Sequence, residues 1–183
     1  MMTTENTLDS TSEPPKKVRK TRRPRKKASP AATKKLPSNP FMNEIFELVS
    51  EQKTDDGKIA ILKEYECDIL KSLFIWNFDD SVISLLPQGT VPYKPNENPL
   101  GTDHSSLRRE QRSLYNFVKG GNDQLSTIRR ETIFIQMLEG LHPEEAKIIC
   151  LVKDKNLTEK YKLTREIVAE AFPDIAWGLH RGS

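Results

Sequence analysis

RRETIFIQMLEGLHPEEAKIICLVKDKNLTEKYKLTREIVAEAFPDIAW, residues 129–177, reads as three helices separated by stop and start signals. Just before and within it, Ile128, Phe134, Ile135, Met137, Leu138 and Leu141 recur at the three- and four-residue spacing that gathers apolar side chains on one helix face. Gly140 is the expected end of that helix. Pro143 opens the next, because its missing N–H is one that a first turn leaves unpaired anyway. Glu144 and Glu145 follow it and suit the positive end of the helix dipole. Ala146, Ile149, Cys150 and Leu151 are the expected inward set, and Lys153-Asp154-Lys155-Asn156 closes the helix. Thr164 is placed to cap the last helix, REIVAEAF, which Pro173 stops; Ile167, Val168, Ala171, Phe172 and Trp177 are its core residues. The NLTEKYKLT connection is too long for the 3–4-residue turn of a helix-turn-helix, so no base-reading helix is expected.

Immediately upstream, Ser105 or Ser106 caps a helix running to about Lys119, with Leu107, Leu114, Phe117 and Val118 buried. Gly120-Gly121 terminates it, and Asn122 or Asp123 begins the helix that leads into the opening stretch. Antiparallel packing through this FVKGGND turn would gather Arg108, Arg109, Arg112, Lys119, Arg129 and Arg130 into one basic patch near Tyr115, a second place to hold phosphate. The alternative is pairing with Glu110 and Glu131 on a solvated face.

Further out lies an irregular loop at about 87–103, enforced by Pro87, Pro92, Pro95 and Pro99 with Gly89 and Gly101. Tyr93 is read as packing it to the body, and residues 82–86 before it as a short extended segment. Three helices precede that. Asn39 caps the first, Pro40 opens it, and Phe41, Ile45, Leu48 and Val49 share a face. Thr54 or Asp55 caps the second, which carries Ile59, Leu62 and Tyr65; Asp68 caps a third holding Ile69, Leu73 and Phe74. Residues 41–183 therefore read as one all-α domain, a size a single core can serve.

Residues 1–40 differ in kind. Leu8, Val18 and Leu36 are their main apolar side chains, too few to offset the roughly 1–2 kcal/mol per residue that ordering a backbone costs. A disordered arm is expected. It carries Lys16, Lys17, Arg19, Lys20, Arg22, Arg23, Arg25, Lys26, Lys27, Lys34 and Lys35, with no acid between Pro14 and Lys35. Eleven bases against three acids give the arm +8, whereas 18 bases and 23 acids give the rest −5. Lys and Arg alternating with Pro and small residues suit contact with phosphate backbones, and the absence of aromatic residues rules out base stacking by the arm. An acidic protein surface is the other partner such an arm would suit.

The other function classes receive no support. No apolar run approaches the about 20 residues of a membrane span, and the first forty residues lack the apolar core of a signal peptide, so a soluble chain is expected. Cys67 and Cys150 are expected as free buried thiols. With His104, His142 and His180 they show no metal-ligand spacing, and no cofactor is expected. Gly120-Gly121 lacks the Lys-Ser/Thr of a phosphate loop, Asp103-His104-Ser105 is a contiguous trio rather than a triad assembled in space, and Glu139, Glu144 and Glu145 read as helix-surface charges. No catalytic residue is assigned.

The pieces NPFMNEIFELVS, LLPQGTVPYKPN, YNFVKGG, RRETIFIQMLEGLHPEEAKIICLVKDKNL and LTREIVAEAFPDI, in this order over residues 41–175, resemble an uncharacterised family of small proteins from tailed phages, notably cyanophage-like myoviruses. The resemblance implies a phage-encoded protein in the host bacterial cytoplasm or the virion, and brings no functional residues. The expected function is non-enzymatic, sequence-nonspecific nucleic-acid binding through the arm, DNA or RNA, with the body as a dimerisation or docking module. The alternative is a protein–protein adaptor or inhibitor of a host or virion component, the arm adding electrostatic steering.

Overall fold

Amphipathic helices bury their apolar stripes against one another, and the computed structural model, which describes residues 35–99 and 104–179, shows how these ones do so. The described residues fall within one compact unit, Ala32–Ser183. Its elements are α1 (Met42–Ser50), α2 (Asp55–Glu64), α3 (Asp68–Phe78), α4 (Leu107–Glu110) continuing as a 3-10 helix (Gln111–Phe117), α5 (Thr127–Gly140), α6 (Pro143–Lys153), α7 (Leu157–Tyr161) and α8 (Arg165–Ala171). Among the described residues there is no strand, only isolated bridges joining Ser84 to Val118 and Ser105 to Leu141. The expected all-α class is what the body adopts. No helix among the described residues is long and apolar enough to cross a membrane.

Several start and stop signals act as read. Thr54 Oγ1 accepts the Gly57 N–H at 3.2 Å to cap α2, α5 ends at Gly140, Pro143 opens α6, and α8 finishes before Pro173. Others shift. α1 begins at Met42 rather than Pro40, because the Glu44 carboxylate reaches back to the Phe41 N–H at 2.9 Å. Residues 36–40, placed with the arm by composition, lie against the body: Pro40 is buried and the Leu36 N–H donates to the Tyr65 hydroxyl at 3.1 Å. Cys67, not Asp68, stands before α3. The NLTEKYKLT connection contains α7, which buries Leu157 and Tyr161. The helix expected from residue 105 to 119 is α-helical for one turn only. Its end is drawn into the loop, where the Leu85 N–H donates to the Phe117 carbonyl at 2.8 Å and the Lys119 N–H to the Ile83 carbonyl at 2.9 Å.

The core is aromatic at its centre. Phe46 of α1 meets Phe74 of α3 and Tyr161 of α7, and Phe74 also meets Phe172 at the end of α8, with ring centroids 5.2–6.1 Å apart. Ile128 departs from the expected core: it is 81 % exposed, while Arg130 in the same first turn of α5 is the residue that faces inward. Trp177 is half-buried beneath the Arg165 guanidinium, 5.1 Å from the ring centre.

Charged side chains inside this core fix the geometry of its connections. Glu145 is fully buried, contrary to its expected place on a helix surface. Its two carboxylate oxygens accept the Met42 N–H and the Leu107 N–H, each at 2.9 Å, so one α6 side chain satisfies orphan donors at the starts of α1 and α4. Burial pushes this carboxyl up from its ordinary value, opposed by the two N–H donors and by the Arg108 charge.

Lys153, likewise buried, closes the proline-rich loop from inside. Its ammonium donates to the Pro87 carbonyl at 2.8 Å, to the Gly89 carbonyl at 3.1 Å and to the Asp154 carboxylate. Lys153→Met removes these donors, but Pro87 and Gly89 are exposed and their carbonyls turn to water. The expected cost in global stability is therefore about 1 kcal/mol, while the loop itself comes loose. Limited proteolysis should cut residues 87–99 at least about tenfold faster in the variant, following local opening rather than global unfolding. An unchanged cutting rate would refute the clasp.

His142 caps α6: its Nδ1 accepts the Glu144 N–H at 3.3 Å, and its ring stacks on Phe41 with centroids 5.2 Å apart. Burial, then the neighbouring His104, lowers its pKa from 6.5. Between the lowered value and 6.5 the unfolded chain binds this proton and the folded chain does not. Stability therefore falls as pH drops below about 6.5, and the fall levels off once the folded state also takes the proton. Protonation also turns Nδ1 from acceptor to donor and removes the cap. His142→Asn keeps a capping acceptor without titrating. Thermal melts from pH 7 to 5 should show a shallower decline in the variant; parallel declines would contradict the assignment.

Candidate nucleic-acid interface

Of the arm's expected phosphate contacts, Lys35 is described and exposed; Lys16, Lys17, Arg19, Lys20, Arg22, Arg23, Arg25, Lys26, Lys27 and Lys34 lie outside the described residues. The expected second patch is divided by the fold. Arg130 faces inward: its Nε donates to the Asn116 carbonyl at 2.7 Å and its Nη2 to the Asn122 carbonyl at 2.9 Å. This side chain staples the 3-10 helix to the turn before α5, and the donors it uses there are not available to phosphate. Arg108 is half-buried and points its Nη2 toward the Pro40 carbonyl at 3.5 Å. Arg109, Arg112, Lys119 and Arg129 are exposed. The second segment starts later than Asn122 or Asp123, because the turn occupies residues 120–126 and α5 begins at Thr127 with Ser126 as its cap.

Arg112 and Lys119 do share a site. They line a groove of about 1210 Å³ between α3 and the 3-10 helix, together with Tyr115. Ile75, Trp76, Val82, Leu114 and Val118 supply its apolar walls, and Trp76 stacks on Phe117 behind them, rings 15° apart. Tyr115 is 53 % exposed. Neither Arg112 nor Lys119 forms an ion pair within 4 Å among the described residues, and Glu110 accepts from the Ser105 and Ser113 hydroxyls, at 2.8 and 3.2 Å, instead of from an arginine. The predicted pairing on a solvated face is thus absent for these residues.

The turn beside the groove is held tightly. Gly120 takes φ 84°, and its N–H donates to the Asp123 carboxylate at 3.0 Å. Gly121 approaches so closely that a Cβ there would lie 1.9 Å from the Tyr115 carbonyl oxygen. Only glycine fits, which is the physical meaning of the Gly-Gly pair. The pair is more than a helix stop, and Trp76 and Leu179 join the groove without any sequence signal for it. Trp76 carries no signal for this, since an apolar residue in DILKSLFIWNF reads equally as core.

Elsewhere the chemistry is quiet. His104 and His142 meet edge to face at 5.4 Å, the His104 Nε2 bonds the Asn98 carbonyl at 2.7 Å, and the Ser105 hydroxyl is held by Glu110 rather than by His104. No group of three or more metal-ligating side chains occurs among the described residues. Both cysteines are free, and burial pushes the Cys150 thiol up to about 11, well away from a reactive thiolate.

Residues 45–159, more than half of the chain, match a family model described as a family of unknown function (DUF6433). No curated protein and no solved structure matches the chain.

Proposed function

The chain belongs to that family of unknown function, and from this premise we propose that it is a phage-encoded accessory protein that binds nucleic acid without base specificity and catalyses no reaction. One observation carries the reading. Eleven cations are concentrated in residues 16–35 without an intervening acid, on a chain whose remainder is net negative. Such a segment gains little by contacting water and much by displacing the counterions of a polyphosphate. Arg112 and Lys119, exposed and without an ion pair among the described residues, give the body a second, smaller contact of the same sign. The phage part of the reading is supported by the run of sequence pieces quoted above, and an infected bacterial cytoplasm or a virion is proposed with it.

The test is competition binding with the full chain on mixed-sequence duplex DNA, single-stranded DNA and RNA across a salt series. Binding that is insensitive to sequence and falls steeply with salt supports the reading. A full chain that ignores all three polymers but holds one host or virion polypeptide after nuclease treatment establishes the adaptor instead.

A further inference from the structure

Resting on the nucleic-acid reading, we propose that the groove between α3 and the 3-10 helix takes a single-stranded segment, one base lying on Tyr115 and the flanking phosphates meeting Arg112 and Lys119. The parts are complementary to that ligand and to few others. Tyr115 leaves about half its surface open at the rim of a groove with apolar walls, and an aromatic face of this kind stacks any base. Arg112 and Lys119 line the same groove, are exposed, and form no ion pair within 4 Å among the described residues. Two acids, Asp68 and Asp123, also line the groove. The Asp123 carboxylate is turned to the Gly120 N–H at 3.0 Å, and Asp68 stands in the first turn of α3, where the helix dipole favours it. The four formal charges sum to zero, so Arg112 and Lys119 act as local donors to phosphate and not through a net positive field.

The platform is also built in advance. Gly121 packs against the Tyr115 carbonyl, and Arg130 and Asn122 both bond Asn116, the next residue, at 2.7 and 3.0 Å. Holding Tyr115 still before the ligand arrives reduces the ordering cost of binding. A duplex cannot use this arrangement, because its bases are stacked on each other and present no free face. The arm has no aromatic residue, so any base stacking by this chain must come from the body.

The experiment measures anisotropy of the full chain on labelled single-stranded DNA, single-stranded RNA and duplex DNA, matched in phosphate number. Tyr115→Ala should weaken single-strand binding about tenfold and duplex binding less than about twofold, while Tyr115→Phe stays within about twofold of the wild type on all three. Arg112→Gln with Lys119→Gln should reduce the single-strand salt slope by about 1.4, or 0.7 per phosphate. A loss confined to the DNA or the RNA arm still supports the groove and identifies the polymer. If the full chain binds but Tyr115→Ala is silent, or weakens duplex and single strand alike, the groove proposal fails and the arm reading survives. If the full chain binds none of the three at low salt, the nucleic-acid reading fails and takes the groove with it.

Discussion

Replacing the eleven lysines and arginines of residues 16–35 by glutamine is expected to abolish most nucleic-acid affinity and to flatten its salt dependence. The wild-type slope of log affinity against log salt should approach about −10 on duplex DNA if every cation meets a phosphate, at about −0.9 per contact. A fourfold rise in salt would then weaken binding by about 10⁶; with half of the contacts made, the factor is still about 10³. The substituted chain keeps its length and its prolines, so what it loses is charge rather than reach. Its residual slope on duplex DNA should fall close to zero, since the eleven substituted cations account for the whole of the wild-type value. Stability should barely change, because the substituted side chains lie in sequence outside the helical core that begins with Met42. Anisotropy at four or more salt concentrations decides it. A wild-type slope shallower than about −2, or an unchanged slope after substitution, would remove the arm from the function and leave the adaptor reading.

How far the sequence reaches can be judged from particular residues. Gly140, Pro143, Thr54 and Pro173 set helix ends through rules that involve only their near neighbours, so these were legible. α7 was not, because five residues carry too little periodicity: Leu157 and Tyr161 make a single i, i+4 pair. The roles of Glu145 and Lys153 lie beyond local pattern for one reason. Each is a charged side chain with partners remote in sequence: Met42 lies 103 residues from Glu145, and Pro87 lies 66 residues from Lys153, whereas the carbonyls that Arg130 bonds lie only 14 and 8 residues away. Local pattern assigns a charged residue to the surface, and the cost of burying a charge makes that the right default. Only the assembled fold shows that backbone groups are waiting for it. The groove was half legible: Arg112, Lys119 and Tyr115 were grouped correctly, but Arg130 was counted among donors to phosphate when its bonds hold the groove's own wall in place.

The buried Glu145 carboxylate carries the largest expected effect on stability. Glu145→Ala should destabilise the fold by about 4–5 kcal/mol, the sum of a cavity and two buried N–H groups left without acceptors. For a domain of this size that corresponds to a fall in melting temperature of about 10–15 °C. Glu145→Gln is the sharper test because it preserves shape. Its amide oxygen can serve either the Met42 or the Leu107 N–H, but its NH₂ then faces the other donor. One bond becomes a repulsion, and about 2–4 kcal/mol should be lost. Glu144→Gln, one residue earlier on the same helix, is the control. Glu144 pairs with Lys147 at 2.5 Å in water, an arrangement worth only about 0–1 kcal/mol. The two glutamates are adjacent and chemically identical, so a difference between them can arise only from what each side chain meets. In Glu145→Gln, amide exchange should also quicken at Met42 and Leu107, the first residues of α1 and α4, because their shared acceptor has been halved. Equal melting of the two glutamine variants would mean that the starts of α1 and α4 are held by something other than this carboxylate.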